Sequence, residues 1–103
     1  MLLNNQTLNY LGLAMKAGKV KTGESVIDSI RKKKAYLVII CNDASEASKK
    51  TIIDKCSYYS VEYVLVDDSD LLSKAIGKSN RKAVSIMDKG FAIGIKKKLG
   101  QVM

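Results

Sequence analysis

Histidine, proline and tryptophan are absent from this chain of 103 residues, phenylalanine occurs once, and there are only two cysteines. Without histidine there is no imidazole base for a serine or cysteine nucleophile, and nothing to complete a zinc site around Cys41 or Cys56. The cysteines form no CxxC pair. Cys41 lies in an apolar run and Cys56 in a segment of helical spacing, so both are expected to be buried thiols with no redox or metal role. No proline-rich, Gly/Ser-rich or repeated stretch marks a linker, so residues 1–103 read as one domain. Long hydrophobic runs are missing too. The opening "MLLNNQTLNYLGLAMKAGK" has no cation ahead of its apolar residues and is interrupted by Asn4, Asn5 and Gln6, which fits neither a signal peptide nor a span. The expectation is a cytoplasmic protein without a membrane partner.

Several phosphate and redox motifs fail on spacing. Gly77, Lys78 and Ser79 resemble the end of a P-loop, but the glycine required five residues earlier is Leu72. Gly18 and Lys19 lead into Val20, which has no hydroxyl for magnesium. No GxGxxG follows a strand. A cysteine phosphatase needs Arg six residues after its nucleophile, where this chain has Ala47 after Cys41 and Glu62 after Cys56. The acids Asp43 and Glu46, and Asp67, Asp68 and Asp70, fall at expected helix starts, where carboxylates satisfy free amides. No cofactor, metal or small-molecule substrate is implied, and the chain reads as a non-enzyme.

What the sequence does contain is a regular alternation. Leu8, Leu11 and Met15, with Leu3, Tyr10 and Ala14, repeat at helical spacing and predict a helix over 4–17, stopped by Gly18. A short extended piece around Val20 precedes a second helix over 24–33 with Val26, Ile27 and Ile30 on its apolar edge. "YLVIIC" (36–41) is continuously apolar, as in a strand covered on both faces. Asp43 and Glu46 have the spacing of a capping box for a third helix over 44–58, which would face Ala47, Thr51, Ile52 and Cys56 inward. "VEYVLV" (61–66), a helix over 67–77, "KAVSIM" (82–87) and a helix over 90–99 complete the order α-β-α-β-α-β-α-β-α. Such alternation predicts an α/β, three-layer α-β-α sandwich.

The charge is lopsided: 18 Lys and Arg against 10 Asp and Glu leave a net +8. That balance favours a polyanionic partner. Lys16, Lys19, Lys21, Arg31, Lys32, Lys33 and Lys34 flank the second helix, and Lys78, Arg81 and Lys82 lie in the loop before the last strand. In a three-layer sandwich of this order the two clusters can share one end of the domain. Thr22, Gly23, Glu24 and Ser25, at the start of the second helix, add free backbone amides that suit a phosphate, although a capped helix on a solvated face explains them equally well. Tyr58, Tyr59 and Tyr63 sit near helix and strand ends and show no stacking platform of the RRM or OB kind.

"LGLAMKAGKVKTGESVIDSIRKKKAYLVIICNDAS" and "YYSVEYVLVDDSDLLSKAIGKSNRKAVSIMDKGFA" together resemble the L-seven-Ae/L-thirty-e ribosomal protein family, closest to its small bacterial members, over almost the whole chain. The resemblance implies a mixed, about four-stranded sheet. It also implies binding of structured RNA, ribosomal or kink-turn-like, through Lys19, Lys21, Thr22, Gly23, Glu24, Ser25, Asp28, Arg31 and Lys32 and the loop Gly77, Lys78, Ser79, Asn80, Arg81 and Lys82. Aligned back from Ala35, the family's Gly-x-Asn-Glu-x-x-Lys stretch begins at Thr22; its Asn falls on Glu24, its Glu on Ser25 and its Lys on Asp28. A carboxylate accepts hydrogen bonds but cannot donate them, so the two acids change the chemistry at these positions. Ser25 and Asp28 also have the spacing of a second capping box. The expected function is RNA binding in association with the ribosome; the alternative is a protein-interaction module on the same fold.

Overall fold

The computed structural model describes residues 3–100. Its elements run α1 (Asn5–Lys16), β1 (Val20–Thr22), α2 (Ser25–Arg31), β2 (Leu37–Cys41), α3 (Glu46–Tyr59), β3 (Tyr63–Val66), α4 (Ser69–Ala75), β4 (Ala83–Ile86) and α5 (Lys89–Gly100). The strands form one mixed sheet in the order β1-β4-β2-β3: β4 pairs antiparallel with both β1 and β2, and β2 pairs parallel with β3.

β2 is the hub, and every one of its five residues is buried. Because side chains alternate across a strand, Leu37, Ile39 and Cys41 enter one apolar cluster while Val38 and Ile40 enter another. The first also holds Leu11 and Ala14 of α1, Leu72 of α4 and Ala92, Ile95 and Leu99 of α5. The second holds Val26 and Ile30 of α2 and Cys56 of α3. Helices therefore cover both faces, as the alternating order predicts. Each fully buried Leu, Ile or Val stabilises by roughly 1.5–3 kcal/mol before conformational entropy is charged against it.

Local signals place most helix ends. Asn4 caps α1 by accepting from the Thr7 amide at 2.7 Å, and its own amide donates to the Lys98 carbonyl at 2.9 Å, tying the start of α1 to the end of α5. Asp68 caps α4 through the amides of Asp70 and Leu71. Gly18, Gly23 and Gly77 take positive φ at the three tight turns that flank β1 and follow α4.

Two helix starts differ from expectation. The N-cap of α3 is Ser45, whose Oγ accepts from the Ser48 amide at 3.1 Å, and not Asp43. The helix consequently begins at Glu46, leaving Ala47 and Thr51 exposed, so that Ile52, Ile53, Cys56 and Tyr59 make its inward contacts. At α2 the N-cap position is Glu24, in helical conformation with no side-chain cap bond, so Ser25 and Asp28 do not form a capping box. Asp28 instead pairs with Lys32 one turn on, at 3.1 Å.

Both cysteines are buried, free thiols. Desolvation, reinforced at Cys41 by the nearby Asp43 carboxylate, pushes Cys41 up to about 12; desolvation pushes Cys56 up to about 11. Neither supplies thiolate near neutral pH.

Candidate nucleic-acid interface

Strand direction decides which loops meet. β1 runs antiparallel to β4 with Val20 opposite Ile86 and Thr22 opposite Val84. The chain thus leaves β1 at Thr22 and Gly23 beside the point where it enters β4 from the loop 77–82. β2 ends here as well, the Cys41 amide donating to the Lys82 carbonyl at 2.8 Å. One end of the sheet therefore gathers the start of α2, the segment after β2 and the loop before β4.

The loop is built into the core rather than draped over it. After Gly77, at φ 71°, the Lys78 amide donates to the Ser73 carbonyl at 2.9 Å. Buried Ser73 accepts from the Arg81 amide at 2.8 Å and donates to the Arg81 carbonyl at 3.1 Å, clamping both sides of that residue to α4. Asn80 turns the chain in a left-handed conformation at φ 54°. The Arg81 guanidinium reaches back to the Ser79 carbonyl at 3.4 Å, and its Nε is buried without a protein hydrogen-bond partner. Lys78, Ser79 and Asn80 stay exposed.

Lys82 has a different task. Its Nζ lies 2.9 Å from Ser69 Oγ and 3.4 Å from the Asp43 carboxylate, which itself accepts from Ser69 at 2.6 Å. The triad joins the segment after β2, the start of α4 and the start of β4. The hydrogen bond from Ser69, with Lys82 behind it, holds the Asp43 carboxyl below its ordinary value. Asp43, Ser69 and Ser73 carry no local sequence signal for these contacts, which join residues of separate elements.

On the neighbouring side, Lys21, Ser25, Asp28, Ser29, Lys32, Lys34 and Met87 line a hollow of about 190 Å³ along α2. Ser29 forms its floor: its Oγ bonds the Val26 carbonyl at 2.7 Å and Ser85 Oγ, opposite Lys21 in the β1–β4 register, at 2.9 Å. Gly23, Glu24, Ser25 and Asp28 are exposed and Thr22 half-buried. Asp28 therefore stands at the surface where the resemblance expects a lysine, and the ion pair with Lys32 brings an ammonium to within 3.1 Å of that position.

The first basic cluster is divided along the strands and does not gather whole at the end that holds the loop 77–82. Lys19 lies at the start of β1, its carbonyl accepting from the Met87 amide after β4, and Arg31, Lys32, Lys33 and Lys34 lie at the far end of α2. These residues occupy the opposite end of the sheet from Gly23 and Arg81. The antiparallel pairing of β1 is the cause: a strand separates Lys19 from Thr22, and a helix then carries the chain back. The acids Asp43, Glu46, Asp67, Asp68 and Asp70 gather at the C-terminal ends of β2 and β3, beyond Lys82. Among the described residues, no group of three acids or cysteines is arranged to hold a metal ion.

Residues 5–95 match the family described as "Ribosomal protein L7Ae/L30e/S12e/Gadd45 family". Among curated proteins, the chain is 46% identical over 83 residues to the "RNA-binding protein YlxQ" of Bacillus subtilis, covering 80% of this chain and 83% of that protein. It is also 46% identical over 88 residues to the protein of the same name from Enterococcus faecium, covering 84% of each. Among solved structures, a Bacillus halodurans protein described as of unknown function superposes with a TM-score of 0.88 at 32% identity, over 94% of this chain and 99% of that one. The Giardia lamblia 15.5kD RNA binding protein superposes with a TM-score of 0.73 at 22% identity, over 98% and 91%, a likeness of fold. With the model of the family matched over most of its length and two relatives close to half identical, the chain belongs to the ribosomal protein L7Ae/L30e/S12e/Gadd45 family.

Proposed function

We propose that this protein is a non-enzymatic RNA-binding protein of the cytoplasm, associated with the ribosome, that recognises folded RNA of the kink-turn kind. The surface is the start of α2, from Lys21 to Ser25 with Asp28, together with the loop Gly77–Lys82. Family membership and the names of the YlxQ relatives support RNA as the partner. The observation that carries the choice of surface is the β1–β4 register, which sets Gly23 beside a loop whose backbone is clamped by Ser73. A preorganised loop loses little entropy on binding, and its exposed Lys78 and Asn80 are free to meet a phosphate or a base edge.

Glu24 and Asp28 favour a second reading. Two carboxylates where the family pattern has Asn and Lys suit a basic or amide-rich protein surface, which would make the domain a protein-interaction module. The deciding experiment is titration of a kink-turn RNA, and of the same RNA with its tandem G·A pairs replaced, against the wild type and the Lys21→Gln/Lys78→Gln variant at matched ionic strength. Tighter binding of the kink-turn, weakened in the variant, supports the RNA reading. Equal binding of both RNAs, or a protein that still co-purifies from cells after ribonuclease treatment while RNA does not, supports the module.

A further inference from the structure

The positive charge left unexplained lies at the other end of the sheet. Arg31 closes α2 and is followed by exposed Lys32, Lys33 and Lys34, with Lys19 beside them at the start of β1. Cations at a helix C-terminus offset the helix dipole, but the effect fades within the last turn and needs one or two of them, not four in succession. Acids nearby are already engaged: Asp28 with Lys32, Asp54 with Lys50 at 3.3 Å and Glu62 with Lys96 at 2.8 Å. Asp88 accepts from the Phe91 amide at the start of α5.

Exposed aromatic rings stand at this same end. α3 finishes here, and Tyr59 packs on the cluster that contains Ala35, the residue after Lys34. Tyr58, at 80% exposure, projects beyond it and meets Tyr59 edge-on, with ring centroids 4.9 Å apart at 79°. The two rings, with Thr51, Asp54 and Lys55, line a hollow of about 540 Å³. Tyr36 and Tyr63, at the starts of β2 and β3, are exposed as well. Large rings left in water at the same end as Arg31, Lys33 and Lys34 are what a strand of stacked bases requires: each base offers a face to a ring, and each phosphate meets a cation. An acidic polypeptide would use the charge but leave the rings without flat partners.

We infer that the end formed by residues 31–36, the close of α3 and the start of β3 is a second nucleic-acid surface that takes single-stranded RNA, with a base stacked on Tyr58 and the backbone following Arg31–Lys34. Along α2 this surface adjoins the first one, Lys32 and Lys34 lining the same hollow as Lys21, Ser25 and Asp28, but it is argued from Tyr58 and the Arg31–Lys34 run and does not rest on the kink-turn reading. One molecule can hold a folded RNA at one end of its strands and a single strand at the other.

The test is fluorescence anisotropy of a labelled dodecauridylate across a salt series. Tyr58→Ala should weaken binding about tenfold, the scale of one lost stacking contact, while Tyr58→Phe, which keeps the ring, should bind as the wild type does. Replacing Arg31, Lys33 and Lys34 with Gln should reduce the slope of log K against log salt by about 2, at about 0.7 per cation on a single strand. A control variant, Lys74→Gln/Lys97→Gln, removes exposed cations from other helices and should change little. The inference is overturned if the wild type does not bind the oligomer, if Tyr58→Ala binds as tightly as Tyr58→Phe, or if the control loses as much as the Arg31/Lys33/Lys34 variant. It is overturned in favour of an acidic protein partner if polyglutamate of equal charge displaces the oligomer as well as unlabelled dodecauridylate does. Tyr58→Ala, which lies outside the hollow along α2, should leave kink-turn binding unchanged and so separates the two surfaces.

Discussion

Asp28→Lys probes the position where this chain departs furthest from its family's pattern. The Asp28 and Lys32 side chains are 57% and 59% exposed, so their pair contributes only about 0.3–0.5 kcal/mol to the helix. The variant loses that and adds a like-charge pair at the same spacing, a similar penalty. α2 stays docked because Val26 and Ile30 supply its buried contacts, and total destabilisation should remain below about 1 kcal/mol. The effect on RNA should be larger. A phosphate about 4 Å from this position would exchange a repulsion for an attraction, each about 1 kcal/mol in water, so affinity should rise by roughly 5- to 30-fold. The slope against log salt should steepen by about 0.9 for one added phosphate contact. Anisotropy titration of a kink-turn RNA and its G·A-replaced control, with a melting curve for each protein, measures all three quantities. A gain confined to the kink-turn supports RNA docking along α2. An equal gain on both RNAs means added charge without a site, and no gain on either refutes the placement of Asp28 at RNA.

Three further outcomes follow from the packing. Val38→Asp places a carboxylate at a fully buried position of the central strand, a cost of several kcal/mol, and should abolish the cooperative melt; a soluble variant with an unchanged melt would contradict that burial. Ser69→Ala removes the leading cause of the lowered Asp43 pKa, so the carboxyl should titrate closer to 3.8 by carbon NMR, and any stability it provides, present above 3.8 and lost as pH falls through the lowered native value, should fade at less acidic pH than in the wild type. Cys41 and Cys56, pushed up to about 12 and about 11, should resist iodoacetamide at mildly alkaline pH until denaturant is added; stoichiometric alkylation of the native protein would show that one is accessible.

The architecture was legible where the signal is local and redundant. "LVIIC", short, continuously apolar and rich in β-branched residues, reads as a doubly covered strand, and the spacing of Leu11, Ala14, Val26 and Ile30 marks which helix faces turn inward. Competition between equivalent acceptors defeated the reading at α3. Asp43 and Ser45 can both cap a helix, and Asp43 is withdrawn by Ser69 and Lys82, partners that no window around residue 43 contains. The same non-locality explains the charge map. Sequence spacing puts Lys19 and Thr22 close together, but only the strand pairing shows that β1 separates them, Lys19 meeting Met87 after β4 and Thr22 meeting Val84 near its start. Resemblance pointed to the start of α2 and the loop before β4; their juxtaposition, and the tyrosine-lysine end opposite, needed the fold.

The pairing of β1 with β4 also gives the candidate interface a history. Val20 meets Ile86 and Thr22 meets Val84, so a chain emerging from the ribosome carries α2 and the cations that follow it well before β4, the strand that completes the surface, has been made. Contacts so distant in sequence form late, after the loop between them has closed. On the proposed RNA reading, an unfinished chain would display its basic charge without the assembled surface, and any discrimination among RNAs would begin only when β4 has slotted between β1 and β2.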